Sequence, residues 1–248
     1  MTLSELLALM VGGRATIAGD VLAVYSEFGR QAGFPDMAGH LIAASVMSPP
    51  AALMVSKIIL PETEPSETAS QAPVKIERTT TNGIDALCRG AADGLQLSLN
   101  VMAMLIAFVA VVALVNFLIG YVLRPFGLQL TLQTVFGWVN APFAWLMGVP
   151  AKDCLPIGQV LGERIVLNEL PGYLSLTQQR SGLDGRSFIL ATYALCGFAN
   201  FGSVAIQIGG IGALAPDRRT DLARLGVRAM IGGLLACYLT ATVVGILI

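Results

Sequence analysis

Several apolar runs in this chain are long enough to cross a bilayer, and two of them carry glycines and polar side chains near their centres. A spanning helix needs about 20 apolar residues. In lipid such a run must satisfy its own backbone, which leaves the helix as the form for each segment. Irregular backbone at that depth survives only where protein buries it or a water-filled cavity receives it. The pattern therefore predicts an all-α, polytopic membrane protein with broken transmembrane helices. Charge agrees: only 12% of the residues are Asp, Glu, Lys or Arg, against roughly 25% in soluble domains. A formal net charge of −1, with no basic patch, gives no handle for nucleic acid; the lipid bilayer is the expected partner.

The punctuation divides the chain into four stretches. Residues 1–60 hold a first, glycine-interrupted run from Leu6 to Phe28 and a cleaner one from His40 to Leu60 containing Pro49-Pro50. Residues 61–98 open with the polar segment Pro61-Glu62-Thr63-Glu64-Pro65 and continue as an aqueous loop. Within them, 83–98 carries Asp85, Arg89 and Asp93 among small and apolar groups, the make-up of an interfacial amphipathic helix. Residues 99–125 read as a plain span, Leu99 to Leu123, with Asn116 inside and Arg124-Pro125 closing it. Residues 126–248 begin with an interfacial or half-inserted helix bearing Trp138 and Trp145, since tryptophan prefers the membrane–water boundary. Next, 154–174 is too polar for a lipid-facing span and too apolar for a loop, which suits a re-entrant helical hairpin. A second broken run, Phe188 to Leu214, and a last span, Val227 to Ile248, complete the chain. Arg218, Arg219, Arg224 and Arg228 crowd the loop before that span, which places it in the cytoplasm by the positive-inside rule.

Cys88, Cys154, Cys196 and Cys237 form no CxxC pair and no metal spacing, so they are read as free, buried thiols. His40 has no neighbouring ligand and is expected at a helix end near the interface. Neither a nucleophile elbow nor a pair of catalytic carboxylates is present. The chain is expected to be no enzyme and to need no cofactor.

The two broken runs resemble each other: Gly13-Arg14-Ala15-Thr16-Ile17-Ala18-Gly19 and Gly197-Phe198-Ala199-Asn200-Phe201-Gly202-Ser203. Paired, glycine-interrupted segments point to a transporter site between inverted repeats. An unwound helix leaves polar backbone groups that cost several kcal/mol each unless something binds them. Ions and polar substrates are such partners, although close-packed small-residue faces give a similar pattern. Glu169, Asn168 and Asn200 at membrane depth favour a site, because ionisable groups there are usually functional.

At these residues the chain resembles the concentrative nucleoside transporter family. The resemblance runs through Gly12-Gly13-Arg14-Ala15-Thr16-Ile17-Ala18-Gly19, Ala43 to Ala51 with Pro61-Glu62-Thr63-Glu64, Val166-Leu167-Asn168-Glu169-Leu170, and Ala191 to Ser203, with Ile208 to Pro216 extending it. It implies import of nucleosides across the plasma membrane (the inner membrane in a bacterium), driven by a sodium or proton gradient. It also implies an elevator-like transport domain, usually in a homotrimer. By the resemblance, Glu169 binds the ribose, and Phe198, Asn200 and Ser203 line the sugar site. Val21 touches the nucleobase. Thr16 and Ile17 help to hold sodium. The residue chemistry agrees: an ionised Glu accepts hydrogen bonds from two hydroxyls, and Asn both donates and accepts. Glu169 could instead pair with Arg164, and Thr16 could bond back to its own helix.

Three departures from the family pattern stand out. Arg14 takes the place of an apolar residue and Asp20 that of a small one. Leu170-Pro171-Gly172-Tyr173 replaces Phe-Val-Ala-Tyr at the hairpin. Family members also carry preceding scaffold helices and a first hairpin that reads the nucleobase, so a competing expectation is a truncated remnant that does not transport, or that assembles with a full-length partner. Purine versus pyrimidine preference belongs largely to that first hairpin.

Overall fold

The structure, a computed structural model, describes residues 1–65, 80–126 and 130–248, with the side chains of Asp20, Met104, Phe126 and Ala213 outside the described set. Much of the predicted 61–82 loop thus lies outside the described residues. Ten α-helices account for the described chain, and no strand occurs among its residues. They are α1 (Leu3–Ala15), α2 (Gly19–Gln31), α3 (Met37–Ile59), α4 (Gly83–Leu123), α5 (Leu132–Leu146), α6 (Ala151–Val166), α7 (Glu169–Gln178), α8 (Gly185–Leu195), α9 (Phe201–Leu214) and α10 (Arg219–Leu247).

Local chemistry sets the ends. Thr2 and Glu5 form a reciprocal capping box at the start of α1. Asn82 caps α4, Thr131 caps α5 and Asp184 caps α8, each with a side-chain oxygen that takes an orphan N–H. Three stretches are long and apolar enough to cross a membrane: Met37–Ile59, Gly83–Leu123 and Pro216–Leu247.

Helix α10 is the axis of the fold and packs against α1, α3, α8 and α9. It allows close approach because Gly232, Gly233 and Gly245 lie on its buried face. A methyl group at Gly232 would meet Val11 Cγ2 at 2.7 Å, and one at Gly233 would meet the Arg14 Cβ at 2.9 Å. A second glycine seam joins α5 and α6 as an antiparallel pair. A Cβ at Gly158 would lie 2.5 Å from the Gly137 carbonyl, and one at Gly162 would lie 2.7 Å from that of Gln133. Helices α6 and α7 then fold back on each other, with Gly172 set against Val160 and Arg164. This is the predicted hairpin over 154–174; its turn falls at Leu167-Asn168.

Two expectations are corrected. The boundary between an amphipathic stretch 83–98 and a span 99–125 does not exist as a break: α4 runs through it as one helix of 41 residues. At 1.5 Å per residue it is roughly 60 Å long, about twice the hydrocarbon core. Its polar first half has no proline, and Asn82 provides the only strong start signal, so nothing stops the helix at residue 98. Cys88 is exposed on α4, while Cys196 and Cys237 are buried and Cys154 is intermediate; all four are free. Asn116 fastens α4 to α5, accepting from the Leu132 N–H at 2.8 Å and donating to Gln133 Oε1 at 3.0 Å.

Candidate functional site

Both predicted breaks are present. The first interrupts the α1–α2 run at residues 16–18 and the second interrupts α8–α9 at residues 196–200. They cross at Gly197. A Cβ there would sit 2.7 Å from the Arg14 carbonyl oxygen and 2.7 Å from Cys237 Sγ, so only glycine admits this approach.

Each break leaves polar groups for which the fold supplies partners. At the second, Arg164, fully buried, donates to the carbonyls of Ala194 and Gly197, the latter at 3.0 Å. Its role is thus to satisfy the freed end of α8, not to form an ion pair with Glu169. The start of α9 is closed by a capping box: Asn200 Oδ1 accepts from the Ser203 N–H at 2.8 Å, and Ser203 Oγ accepts from the Asn200 N–H at 3.2 Å. At the first break, Thr16 Oγ1 donates to the Gly12 carbonyl at 3.1 Å. The helical ladder stops there, so the carbonyls of Arg14 to Ile17 have no following turn to bond.

Between the two breaks and the hairpin turn lies a cavity of about 360 Å³ lined by Gly13, Thr16, Ile17, Ala18, Val21, Glu169, Gly197 and Phe198. That size falls within the range of small-molecule sites. Five of the seven sequence-predicted residues, Thr16, Ile17, Val21, Glu169 and Phe198, line it together. Asn200 and Ser203 do not: they are 0% and 1% exposed, and their groups close the α9 cap behind the wall. Asn200 still reaches the site through Nδ2, which donates to Glu169 Oε2 at a long 3.4 Å.

Glu169 is the one acidic side chain on the wall. It occupies the first position of α7, where the positive end of the helix dipole favours a carboxylate. Tyr25 lies near enough to interact electrostatically with that carboxylate, and its ring stacks on Tyr173 at 4.1 Å between centroids. Tyr25 was not singled out in the sequence; it looks there like one more aromatic on an apolar face. Apart from the Thr16 hydroxyl, the other lining groups are apolar or backbone. A carboxylate opposite Phe198 and Val21 fits a ligand with hydroxyls at one end and a flat apolar body at the other. Thr16 Oγ1 keeps lone pairs free, and oxygen is the kind of donor that simple cations prefer.

Arg14 is 1% exposed and points from α1 to α9, donating to Gln207 Oε1 at 2.7 Å and, at a long 3.5 Å, to the Ser203 carbonyl. Whether it meets Asp20 lies outside the described residues. His40 stands in the first turns of α3 with Nδ1 3.2 Å from the Tyr193 hydroxyl. No group of three or more His, Cys, Asp or Glu that could hold a metal occurs among the described residues.

The family profile described as "Na+ dependent nucleoside transporter C-terminus" matches residues 40–245. An uncharacterized transporter of Bacillus subtilis is 41% identical over all of this chain and 60% of its own length. Sodium/nucleoside cotransporter 1 of Rattus norvegicus is 40% identical over all of this chain and 40% of its own. Among solved structures, CNTnw in an inward-facing substrate-bound state superposes with a TM-score of 0.77 at 39% identity, over 99% of this chain and 57% of that one. A CNTnw variant in an intermediate state gives 0.85 at 39%, over 100% and 59%. The chain thus spans about three-fifths of the bacterial relative and two-fifths of the rat one.

Proposed function

Because this chain belongs to the concentrative nucleoside transporter family, a family of transporters and not of enzymes, we propose that it forms the nucleoside-holding part of a symporter. That symporter imports nucleosides across the plasma membrane, the inner membrane in a bacterium, on a sodium or proton gradient, and works as a homotrimer. The observation that carries this reading is the enclosure of Glu169, Phe198 and Val21 in one cavity between two helix breaks.

In this reading Glu169 accepts from the ribose hydroxyls. Charge-assisted bonds of that kind are the strong ones in a water-poor site. Phe198 and Val21 offer flat apolar surface to the sugar edge and nucleobase. Asn200 and Ser203 act one layer back: their capping box fixes the start of α9, and the Asn200 amide holds the carboxylate in place. Thr16 and the carbonyls beside Ile17 are the oxygen donors for a sodium ion.

The test is uridine binding and uptake by the protein in proteoliposomes, with Glu169→Gln as the variant. Hydrogen bonds to a charged group contribute about 1.5–3 kcal/mol, so the variant should bind uridine roughly 10- to 100-fold more weakly. Unchanged affinity in a folded Glu169→Gln protein would remove the carboxylate from the site. Absence of uridine binding by the parent chain would favour the competing reading, a non-transporting partner of a longer transporter.

A further inference from the structure

The first break carries a fixed positive charge that the proposed function does not use. Arg14 is 1% exposed, and its bonded nitrogens face neutral acceptors, the Gln207 amide and the Ser203 carbonyl. Its third guanidinium nitrogen, Nη1, is buried without a hydrogen-bond partner among the described residues. Those bonds orient the guanidinium without cancelling its charge. The residue is anchored at both ends: Gln207 Nε2 donates back to the Met10 carbonyl at 2.9 Å, which clamps α9 to α1. The Ser203 it touches is the same residue that caps with Asn200, which in turn holds Glu169.

We propose that Arg14 is a tethered cation that occupies, electrostatically, the place of a coupling sodium ion, so that this site takes sodium weakly and binds nucleoside almost independently of it. The proposal rests on the nucleoside reading of the same cavity. The oxygen donors for a sodium ion, the Thr16 hydroxyl and the carbonyls of Arg14 to Ile17, begin at the residue that bears the guanidinium. In a poorly screened interior, like charges repel enough to weaken ion binding by about tenfold even at a separation of about 10 Å. The Arg14–Gln207–Ser203 linkage already joins the two interrupted helices and, through Asn200, reaches the Glu169 carboxylate.

The experiment compares sodium with potassium chloride at equal ionic strength, using purified full chain in nanodiscs. Two quantities are read: the melting temperature without nucleoside, and the uridine Kd. The parent chain and Arg14→Lys, which keeps the charge, should change uridine Kd less than about twofold between the two salts, with no sodium-specific shift in melting temperature. Arg14→Met and Arg14→Gln, which remove it, should gain a sodium-specific stabilisation and a tightening of uridine by about tenfold or more when sodium replaces potassium. Arg14→Gln retains hydrogen bonding, so it carries the test if Arg14→Met does not fold. A parent chain whose uridine affinity rises tenfold with sodium overturns the proposal, as does a folded neutral variant that binds uridine with no sodium response. If no variant binds uridine, the nucleoside reading fails. The sodium-specific melting shift still decides the Arg14 proposal separately.

Discussion

Glu169 and Arg164 lie on the same hairpin, yet they serve different ends of the site. Glu169 faces the cavity, while Arg164 turns inward to two carbonyls that the break in α8–α9 would otherwise leave bare. Leaving a buried carbonyl without its donor costs about 1–3 kcal/mol, and Arg164 serves two. Arg164→Leu is therefore expected to lower the melting temperature steeply, even with saturating uridine, whereas Glu169→Gln should melt near the parent value and lose affinity. Differential scanning fluorimetry with and without uridine separates the two. Asn200→Ala is expected to cost about 1 kcal/mol of stability, the worth of an N-cap, and to weaken uridine through a displaced Glu169 carboxylate. Parallel melting curves and uridine titrations check it. Thr16, Ile17, Val21, Glu169 and Phe198, named from the sequence, line one cavity, but the direction of their neighbours was not legible there. Asn200 and Ser203 turn to their own backbone, because a polar side chain beside a new helix start caps the exposed N–H groups first.

At the level of elements, the breaks were readable because glycine and polar groups inside an apolar run oppose lipid in a way no ordinary span tolerates. The length of α4 was not: composition changes along it, but no proline interrupts it after Asn82, so the backbone continues. Nor did the sequence show how closely α5 and α6 would pack, since Gly137, Gly158 and Gly162 are spaced for it only once the two helices run antiparallel. Gly158→Ala would press a methyl group to 2.5 Å from the Gly137 carbonyl and 2.8 Å from the Ala141 nitrogen. Backbone cannot yield as a side chain does, so a loss of about 1–3 kcal/mol is expected. Gly185→Ala, where a Cβ would meet nothing within 4 Å, is the control. Thermal melts of the two variants in one detergent give the comparison.

For the molecule as a whole, the shortage of charge and the three membrane-length helices leave wide apolar surfaces that only lipid or another subunit can cover. Trp138 and Trp145, 50% and 64% exposed on α5, should sit at the bilayer boundary. Their fluorescence is expected to be quenched most by lipids brominated near the headgroup and least by lipids brominated at the chain ends. Just past the α3 span, Glu62 Oε2 lies 3.0 Å from Lys57 Nζ, and that hydrogen bond holds the Glu62 carboxyl below its usual value. A depressed carboxylate adds stability above its unfolded value and loses it as pH falls through the folded one. The acid side of the melting profile should therefore be shallower in Glu62→Gln, as pH-dependent scanning fluorimetry would show.

The crossing at Gly197 has a mechanical corollary. With Arg14 and Cys237 pressed against it, neither interrupted helix can slide past the other, and the Arg14–Gln207 clasp prevents rotation. The knot at the centre must move as a solid piece. Whatever bends lies in the links leading away from it.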